Sequence, residues 1–105
     1  MKEIKAVIQP QRLARVREAF RRIPDFPGMT VSRAEGSGYH PGKPAPSDVK
    51  TELTDYSARV RLEIVCPEAM VEQLVAVIRE HCHTGRPGDG VIWVTPVEYF
   101  RRIRE

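Results

Sequence analysis

The sequence of 105 residues contains only two cysteines, Cys66 and Cys82, and no CxxC pair. Two such cysteines do not make the disulfide framework that stabilises small secreted domains. The sequence also lacks an apolar run long enough for a signal peptide or a membrane span. These absences predict a cytoplasmic protein with reduced thiols, which meets any membrane partner from the aqueous side.

Charge of one sign is not concentrated in the sequence either. The chain has 17 Lys and Arg against 14 Asp and Glu, a formal net charge of +3 at pH 7. A dedicated nucleic-acid-binding domain carries a denser positive charge. An RNA-binding sheet also needs paired aromatic residues on its exposed central strands, and residues 60–66 contain none. We therefore expect no nucleic-acid partner.

The hydrophobic pattern alternates between the strand period and the helix period. Alternating apolar residues predict strands over residues 1–9, 29–34, 60–66 and 91–94. Apolar residues at helical spacing predict helices over residues 11–23 and 67–78. This order is that of the ferredoxin-like βαββαβ fold, in which an antiparallel sheet carries two helices on one face. We predict one α+β domain over residues 1–105, with Trp93 in its core or in a subunit interface.

Two loops interrupt this pattern. Residues 37–58, the long loop, are rich in Pro, Gly and polar groups, and loops of this length in small domains are usually functional or disordered. Residues 84–90, the glycine loop, read TGRPGDG. Glycines allow positive φ and close approach to a ligand, and successive N–H groups in such a turn can bind an anion. Asp89 either fixes this loop internally or bonds a sugar hydroxyl. Taken alone, the loop is more simply a helix-to-strand connection with Gly85 as the helix cap.

Two further segments suit a phosphate ligand. The segment Gly36-Ser37-Gly38 ends the second predicted strand, where it can neighbour the glycine loop. In an extended tail, Arg102 and Arg104 point the same way, and the planar fork of arginine suits phosphate. The alternative is that these arginines only make the chain terminus soluble.

Other chemistry finds little support in the sequence. The triplet His81-Cys82-His83 contains metal-binding residue types, but on a helix its side chains point to different sides. Cys82 follows Ile78 by four residues and is predicted to be core. An acylphosphatase-like enzyme needs an anion-binding loop with an arginine after its first strand, which Gln9-Pro10-Gln11 does not offer. Since no nucleophile–base pair is evident either, we expect neither a metal site nor an enzyme.

Taken together, these motifs resemble the PII signal-transduction family over residues 1–104. The first strand and its proline match MKEIKAVIQP at 1–10, and the second strand and loop entrance match GMTV at 28–31 and GSG at 36–38. The third strand matches RLEIVCP at 61–67. The family's C-terminal motif and basic end match TGRPGDGVIWV at 84–94 and RRIR at 101–104.

The resemblance implies a homotrimer that binds an adenine nucleotide (ATP, ADP or AMP) in the clefts between subunits. By matching positions, the nucleotide-binding residues are Gly28, Met29, Thr30, Gly36, Ser37, Gly38, Tyr39, Val65, Gly88, Asp89, Gly90, Arg102 and Arg104. The long loop corresponds to the family's T-loop, which engages or releases a partner such as a membrane transporter, an enzyme or another regulator. The residues expected to meet the partner are His40, Lys43, Asp48, Lys50 and Glu52.

The chain departs from the family pattern at several positions. Residues 47–52 lack the tyrosine that is uridylylated in many members, so this modification is not expected. His40 replaces the glutamine that helps hold magnesium and 2-oxoglutarate, which argues against both. Val91 replaces a basic residue, at a cost of roughly 1–3 kcal/mol of phosphate affinity, so ADP or AMP should compete better with ATP. Before the third strand, where the family pattern has a lysine, Arg59 keeps the positive charge.

Two alternatives remain open from the sequence. PII-like regulators with divergent T-loops are linked to inorganic-carbon uptake and to heavy-metal efflux, with little nitrogen role. A trimeric metal-binding or scaffold protein of the CutA type has the same fold.

Overall fold

Four β-strands and two α-helices follow in the order βαββαβ along residues 1–37 and 57–105, the parts of the chain that the computed structural model describes. The strands are β1 (Lys2–Ile8), β2 (Thr30–Gly36), β3 (Ser57–Cys66) and β4 (Gly90–Pro96). The helices are α1 (Leu13–Arg21) and α2 (Val71–Cys82). This is the predicted order, and it confirms the α+β ferredoxin-like fold. Because β3 begins at Ser57, it includes the last two residues of the predicted long loop.

Each α-helix begins later than its hydrophobic pattern predicts, because a short 3-10 helix precedes it. Pro10–Arg12 comes before α1, and Glu68–Met70 comes before α2. The first turn is closed by a hydrogen bond of 3.0 Å from the Arg12 amide to the Gln9 carbonyl. Proline suits this position because its missing N–H would be unpaired there in any case.

The four strands form one antiparallel sheet in the order β2-β3-β1-β4. The register places Ile4 of β1 opposite Ile64 of β3 and Val94 of β4. Since side chains alternate along a strand, this register directs Ile4, Ala6 and Ile8 to one face of the sheet.

The hydrophobic core lies between that face and the two helices. Helix α1 contributes Val16 and Phe20, and α2 contributes Leu74, Ile78 and Cys82. Phe20 also stacks on Phe26 at a centroid distance of 4.6 Å. Cys82 is therefore a core residue, as predicted.

Within residues 1–37 and 57–105, no helix packs on the opposite face of the sheet, the helix-free face, which is largely polar. Lys5 pairs with Glu3 at 3.8 Å, and Arg61 pairs with Glu63 at 3.5 Å. Trp93 lies on this face and remains 42% exposed, so it is not a core residue of the single chain, and its place in a subunit interface stays a prediction.

Neither α1 nor α2, the helices of the described part of the chain, has the length and apolar character needed to cross a membrane.

Candidate functional site

The glycine loop adopts a backbone that only glycine allows easily. Gly85, Gly88 and Gly90 have φ values of +80°, +95° and +118°. At Gly90 a β-carbon would lie 2.0 Å from the carbonyl oxygen of Val7, well inside van der Waals contact. The start of β4 therefore passes so close to β1 that no side chain fits at this position.

A side-chain clamp holds the two ends of the glycine loop together. The Thr84 amide donates to Asp89 Oδ2 at 2.8 Å, and the Thr84 hydroxyl donates to Asp89 Oδ1. The Arg86 amide in turn donates to the Thr84 hydroxyl at 3.2 Å. Because the hydrogen bonds from Thr84 stabilise the carboxylate, they hold the pKa of Asp89 below its ordinary value. Of the two roles predicted for Asp89, the structure shows the internal one.

A second contact ties the glycine loop to the end of β1. The side-chain amide of Gln9 donates to the carbonyl oxygen of Gly88 at 3.0 Å, and Gln11 donates to Gln9 Oε1 at 3.3 Å. The hydrogen bond from Gln9 therefore links the segment after β1 to the turn at Gly88.

One cleft, here called the loop cleft, lies on the helix-free face beside the glycine loop. It has a volume of about 570 Å³ and contains five of the predicted nucleotide-binding residues. Its lining comprises Val7, Gly36, Ser37, Arg59, Arg86, Gly88, Asp89, Gly90, Val91 and Trp93. The neighbourhood predicted for Gly36-Ser37 and the glycine loop is therefore present.

Arg59 lies between the two glycine segments of the loop cleft. A β-carbon at Gly36 would lie 3.2 Å from Arg59 Cγ, and one at Gly88 would lie 3.7 Å from Arg59 Nη2. Arg86 adds a second guanidinium to the lining, against the single carboxylate of Asp89. This balance, together with the N–H groups of the glycine loop, suits an anionic ligand.

A second cleft, the strand-start cleft, lies on the same face at the beginning of β2. It has a volume of about 320 Å³ and contains another five predicted residues. Its lining comprises Glu3, Pro27, Gly28, Met29, Thr30, Glu63, Val65, Phe100 and Arg102. Its lining has two carboxylates, those of Glu3 and Glu63, against the single guanidinium of Arg102. The charge balance is therefore opposite to that of the loop cleft.

The two clefts share no lining residue and lie at opposite ends of β2. Gly36 ends this seven-residue strand and Thr30 begins it. At about 3.3 Å per residue, their separation is about 20 Å. One chain thus carries two separate groups of candidate residues.

The C-terminal tail differs from its prediction. Instead of being extended, it turns at the end: the Glu105 amide donates to the Arg102 carbonyl at 3.1 Å, and Arg102 Nε lies 3.9 Å from Glu105 Oε1. Arg102 reaches the strand-start cleft and lies 5.7 Å from the centroid of Phe100, whereas Arg104 lines neither of these two clefts. Because the tail is not extended, the condition under which both arginines point the same way is not met, and their contact with phosphate stays a prediction.

Several predicted residues fall outside the described parts of the chain. They are Gly38 and Tyr39 of the nucleotide set and His40, Lys43, Asp48, Lys50 and Glu52 of the partner set.

The structure also adds residues that sequence reasoning left out of the site. Arg59 and Arg86 line the loop cleft, and Glu3, Glu63 and Phe100 line the strand-start cleft. Arg86 had a visible signal, since it lies inside the glycine loop. Glu3 and Glu63 had none, because outward-facing carboxylates on strands are ordinary surface residues.

The triplet at residues 81–83 does not form a metal site in the structure. Within residues 1–37 and 57–105, no group of three His, Cys, Asp or Glu side chains is arranged to hold a metal ion. Cys82 is buried and unpaired, and burial raises the pKa of its thiol.

Comparison with known proteins gives one consistent result. The family model described as Nitrogen regulatory protein P-II matches residues 1–105. The chain is 38% identical to the Nitrogen regulatory protein P-II of Azospirillum brasilense over 104 residues, which cover 99% of this chain and 92% of that protein. With the same coverage, it is 38% identical to the Haemophilus influenzae protein of that name and 36% identical to Nitrogen regulatory protein P-II 1 of Escherichia coli. The resemblance drawn from the motifs is confirmed, and the chain belongs to the nitrogen regulatory protein P-II family.

Proposed function

We propose that the chain acts as a single-domain signalling protein in the cytoplasm, where it binds an adenine nucleotide between the subunits of a homotrimer. Its role is regulatory rather than catalytic. The nucleotide alters the long loop, and the long loop engages or releases a partner protein, which we expect to be a transporter or an enzyme.

The observation that carries this proposal is the division of the candidate residues between two clefts. The loop cleft offers glycine-loop N–H groups, Arg59 and Arg86, which suit phosphates. The strand-start cleft offers Met29 and Val65 as apolar contacts, and Glu63 as a hydrogen-bond acceptor, which suit a base and a sugar.

The separation of the clefts supports a site formed between copies of the chain. Over the roughly 20 Å between Gly36 and Thr30, one nucleotide cannot contact both ends of β2 in the same chain. The loop cleft of one copy set against the strand-start cleft of another brings the two halves together. Exposed Trp93 and Val91 beside the loop cleft supply apolar surface for such an interface.

The process that this chain regulates differs from the nitrogen control named in the family description. The relatives are named as nitrogen regulatory proteins. His40 and residues 47–52 depart from the family pattern at the positions linked to 2-oxoglutarate and uridylylation. We therefore propose a partner other than the usual nitrogen-control targets, for example one in inorganic-carbon uptake or heavy-metal efflux.

Complementation between two variants tests the shared site. R59Q/R86Q disables the loop cleft, and T30W fills the strand-start cleft. Neither variant alone should bind ATP, ADP or AMP in a calorimetric titration. After co-expression at equal levels, roughly a quarter of the interfaces should combine two intact halves and bind. Absence of any binding in the mixed trimers, with both variants folded, would contradict a site shared between subunits.

A thermal-shift panel tests the ligand class. Stabilisation by ATP, ADP or AMP supports the nucleotide sensor. Stabilisation by copper or zinc alone supports the CutA-like alternative instead, for which residues 1–37 and 57–105 offer no metal-binding group.

A further inference from the structure

A third cleft adjoins the glycine loop and shares only Arg86 with the loop cleft. It has a volume of about 530 Å³ and is lined by Gln9, Gln11, Arg12, Thr84, Arg86 and Pro87. Every lining residue except Pro87 carries a polar side chain, and the only two charged ones are both arginines. We call it the polar cleft.

The turn after β1 builds one wall of the polar cleft. The 3-10 helix Pro10–Arg12 folds the chain back, so that Gln9, Gln11 and Arg12 face the same cleft. In the sequence, Gln9-Pro10-Gln11 alone offers no anion-binding loop with an arginine. The structure adds Arg12 from this turn and Arg86 from the glycine loop.

The cationic groups of the polar cleft are not neutralised within the described chain. None of the ion pairs among residues 1–37 and 57–105 involves Arg12 or Arg86. Arg12 Nε is buried and has no hydrogen-bond partner among these residues. A buried donor on a cation is costly when it stays unpaired, and an anionic acceptor removes that cost. The nearby carboxylate of Asp89 is already held by Thr84.

We propose that the polar cleft is a second effector site, which binds the carboxylate or phosphate group of a small molecule between Arg12 and Arg86. The carboxamides of Gln9 and Gln11 supply further donors. Guanidinium groups match both oxyanions through paired N–H donors, so the shared chemistry is a compact oxyanion.

The position of this site links it to the nucleotide, a step that rests on the proposed function. Arg86 lines both the polar cleft and the loop cleft, and Gln9 holds Gly88 of the loop cleft through a 3.0 Å hydrogen bond. An oxyanion bound to Arg86 in the polar cleft removes this guanidinium from nucleotide phosphates in the loop cleft. The two ligands therefore weaken each other, by the same factor in both directions.

Binding of the oxyanion is tested first, without nucleotide. Inorganic phosphate and acetate are titrated into the full chain at constant ionic strength, with chloride as the reference, and backbone amide shifts are followed by NMR. Saturable shifts at Gln11, Arg12 and Thr84 are expected for phosphate, for acetate or for both. The anion that binds with the higher affinity shows whether the site prefers a phosphate or a carboxylate group. R12Q should weaken binding by roughly ten-fold or more, whereas R15Q, which changes an exposed arginine of the following helix α1, should not.

R86Q provides a second variant, since its exposed side chain can change without loss of folding. It should weaken oxyanion binding as R12Q does. Unsaturable shifts, or equal affinity in wild type, R12Q and R86Q, mean an adventitious ion only and overturn the proposal. Phosphate shifts confined to Gly36, Ser37 and Gly90 place the ion in the loop cleft and also overturn it.

The link to nucleotide is tested with ATP titrations in the presence and absence of the tighter oxyanion. The apparent Kd for ATP should rise with the oxyanion in wild type and stay constant in R12Q. An unchanged Kd in wild type overturns the link but leaves the oxyanion site standing. Failure of ATP to bind at all contradicts the proposed function, and the nucleotide-free titration still decides the oxyanion site.

Discussion

The side-chain amide of Gln9 donates a hydrogen bond of 3.0 Å to the carbonyl oxygen of Gly88, across 79 residues of sequence. The clamp between Thr84 and Asp89 closes the glycine loop, and at Gly90 the loop backbone lies close to the backbone of Val7. Three contacts therefore fix the glycine loop before any ligand arrives. A loop fixed in advance loses less conformational entropy on binding, which favours affinity.

Removal of the Gln9 side chain should loosen the glycine loop. In Gln9→Ala the Gly88 carbonyl loses its partner, at a cost of about 0.5–1.5 kcal/mol. Amide hydrogen exchange should become faster at residues 88–90. Gln11→Ala is the matched control, because Gln11 contacts Gln9 but not the loop carbonyl. Equal exchange in Gln9→Ala and wild type would show that this bond does not hold the loop.

A side chain at Gly90 should destabilise the fold strongly. In Gly90→Ala the backbone strain alone costs about 1–3 kcal/mol, and the β-carbon also meets the Val7 carbonyl at 2.0 Å. Gly85→Ala is the control, since it has positive φ but open space around it, at a cost of about 1–2 kcal/mol. Urea unfolding measures both, and equal losses in the two variants would contradict the close approach.

The clamp predicts a specific pH dependence. A lowered pKa means that the Asp89 carboxylate stabilises the fold above its ordinary pKa, and that this contribution disappears as pH falls through the lowered value. In Thr84→Val the pKa of Asp89 should rise, because both Thr84 side-chain contacts with the loop are lost. Thr84→Ser keeps the hydroxyl and should keep the low pKa. An NMR titration of the Asp89 carboxyl carbon measures all three proteins, and an unchanged pKa in Thr84→Val would refute the clamp.

Restoring a cation at position 91 should favour the nucleotide with more phosphates. Val91 lines the loop cleft and is 57% exposed, so a lysine there can reach a bound phosphate. Val91→Lys should tighten ATP binding by roughly ten-fold or more, with a smaller effect on AMP. Ala76→Lys adds the same charge on the exposed side of α2, outside the two clefts of the proposed nucleotide site, and should change neither affinity. Calorimetry compares the two variants, and an equal gain in both would mean that only net charge matters.

Both cysteines should be unreactive in the folded protein. Cys66 and Cys82 are buried, and burial raises the pKa of each thiol, so little thiolate is present at neutral pH. A chromogenic disulfide reagent should label neither residue until urea unfolds the chain, when both react. Ala76→Cys supplies an exposed thiol on α2 that should react at once. Rapid native labelling of Cys82 would show that the end of α2 opens.

The sheet was predictable because its signal is local. Alternation in β1 and β3 follows from one buried face, and the stripe of α2 follows from its packing on that face. The start of each α-helix was less predictable, because Gln11 and Met70 fit the helical pattern but lie in 3-10 turns.

The parts of the candidate site that contain glycine motifs were predictable from the sequence. The parts that form only through the pairing of β-strands were not. The family resemblance marks Arg59 only as a retained positive charge, and it is the pairing of Ser57 with Gly36 that brings Arg59 beside the glycine segments. The conformation of the C-terminal tail was not predictable from the sequence for a related reason. Strand parity of Arg102 and Arg104 assumes an extended chain, and the bond from Glu105 to Arg102 bends it.

The two clefts at opposite ends of β2 have a consequence for the dose response of the proposed sensor. In the proposed assembly, a lone chain holds two incomplete halves, and each complete nucleotide site requires a second copy. Dilution of the protein should then lower its nucleotide affinity, because ligand binding and assembly are linked by mass action. A cell that changes the amount of this protein would thereby also change the nucleotide concentration at which it responds.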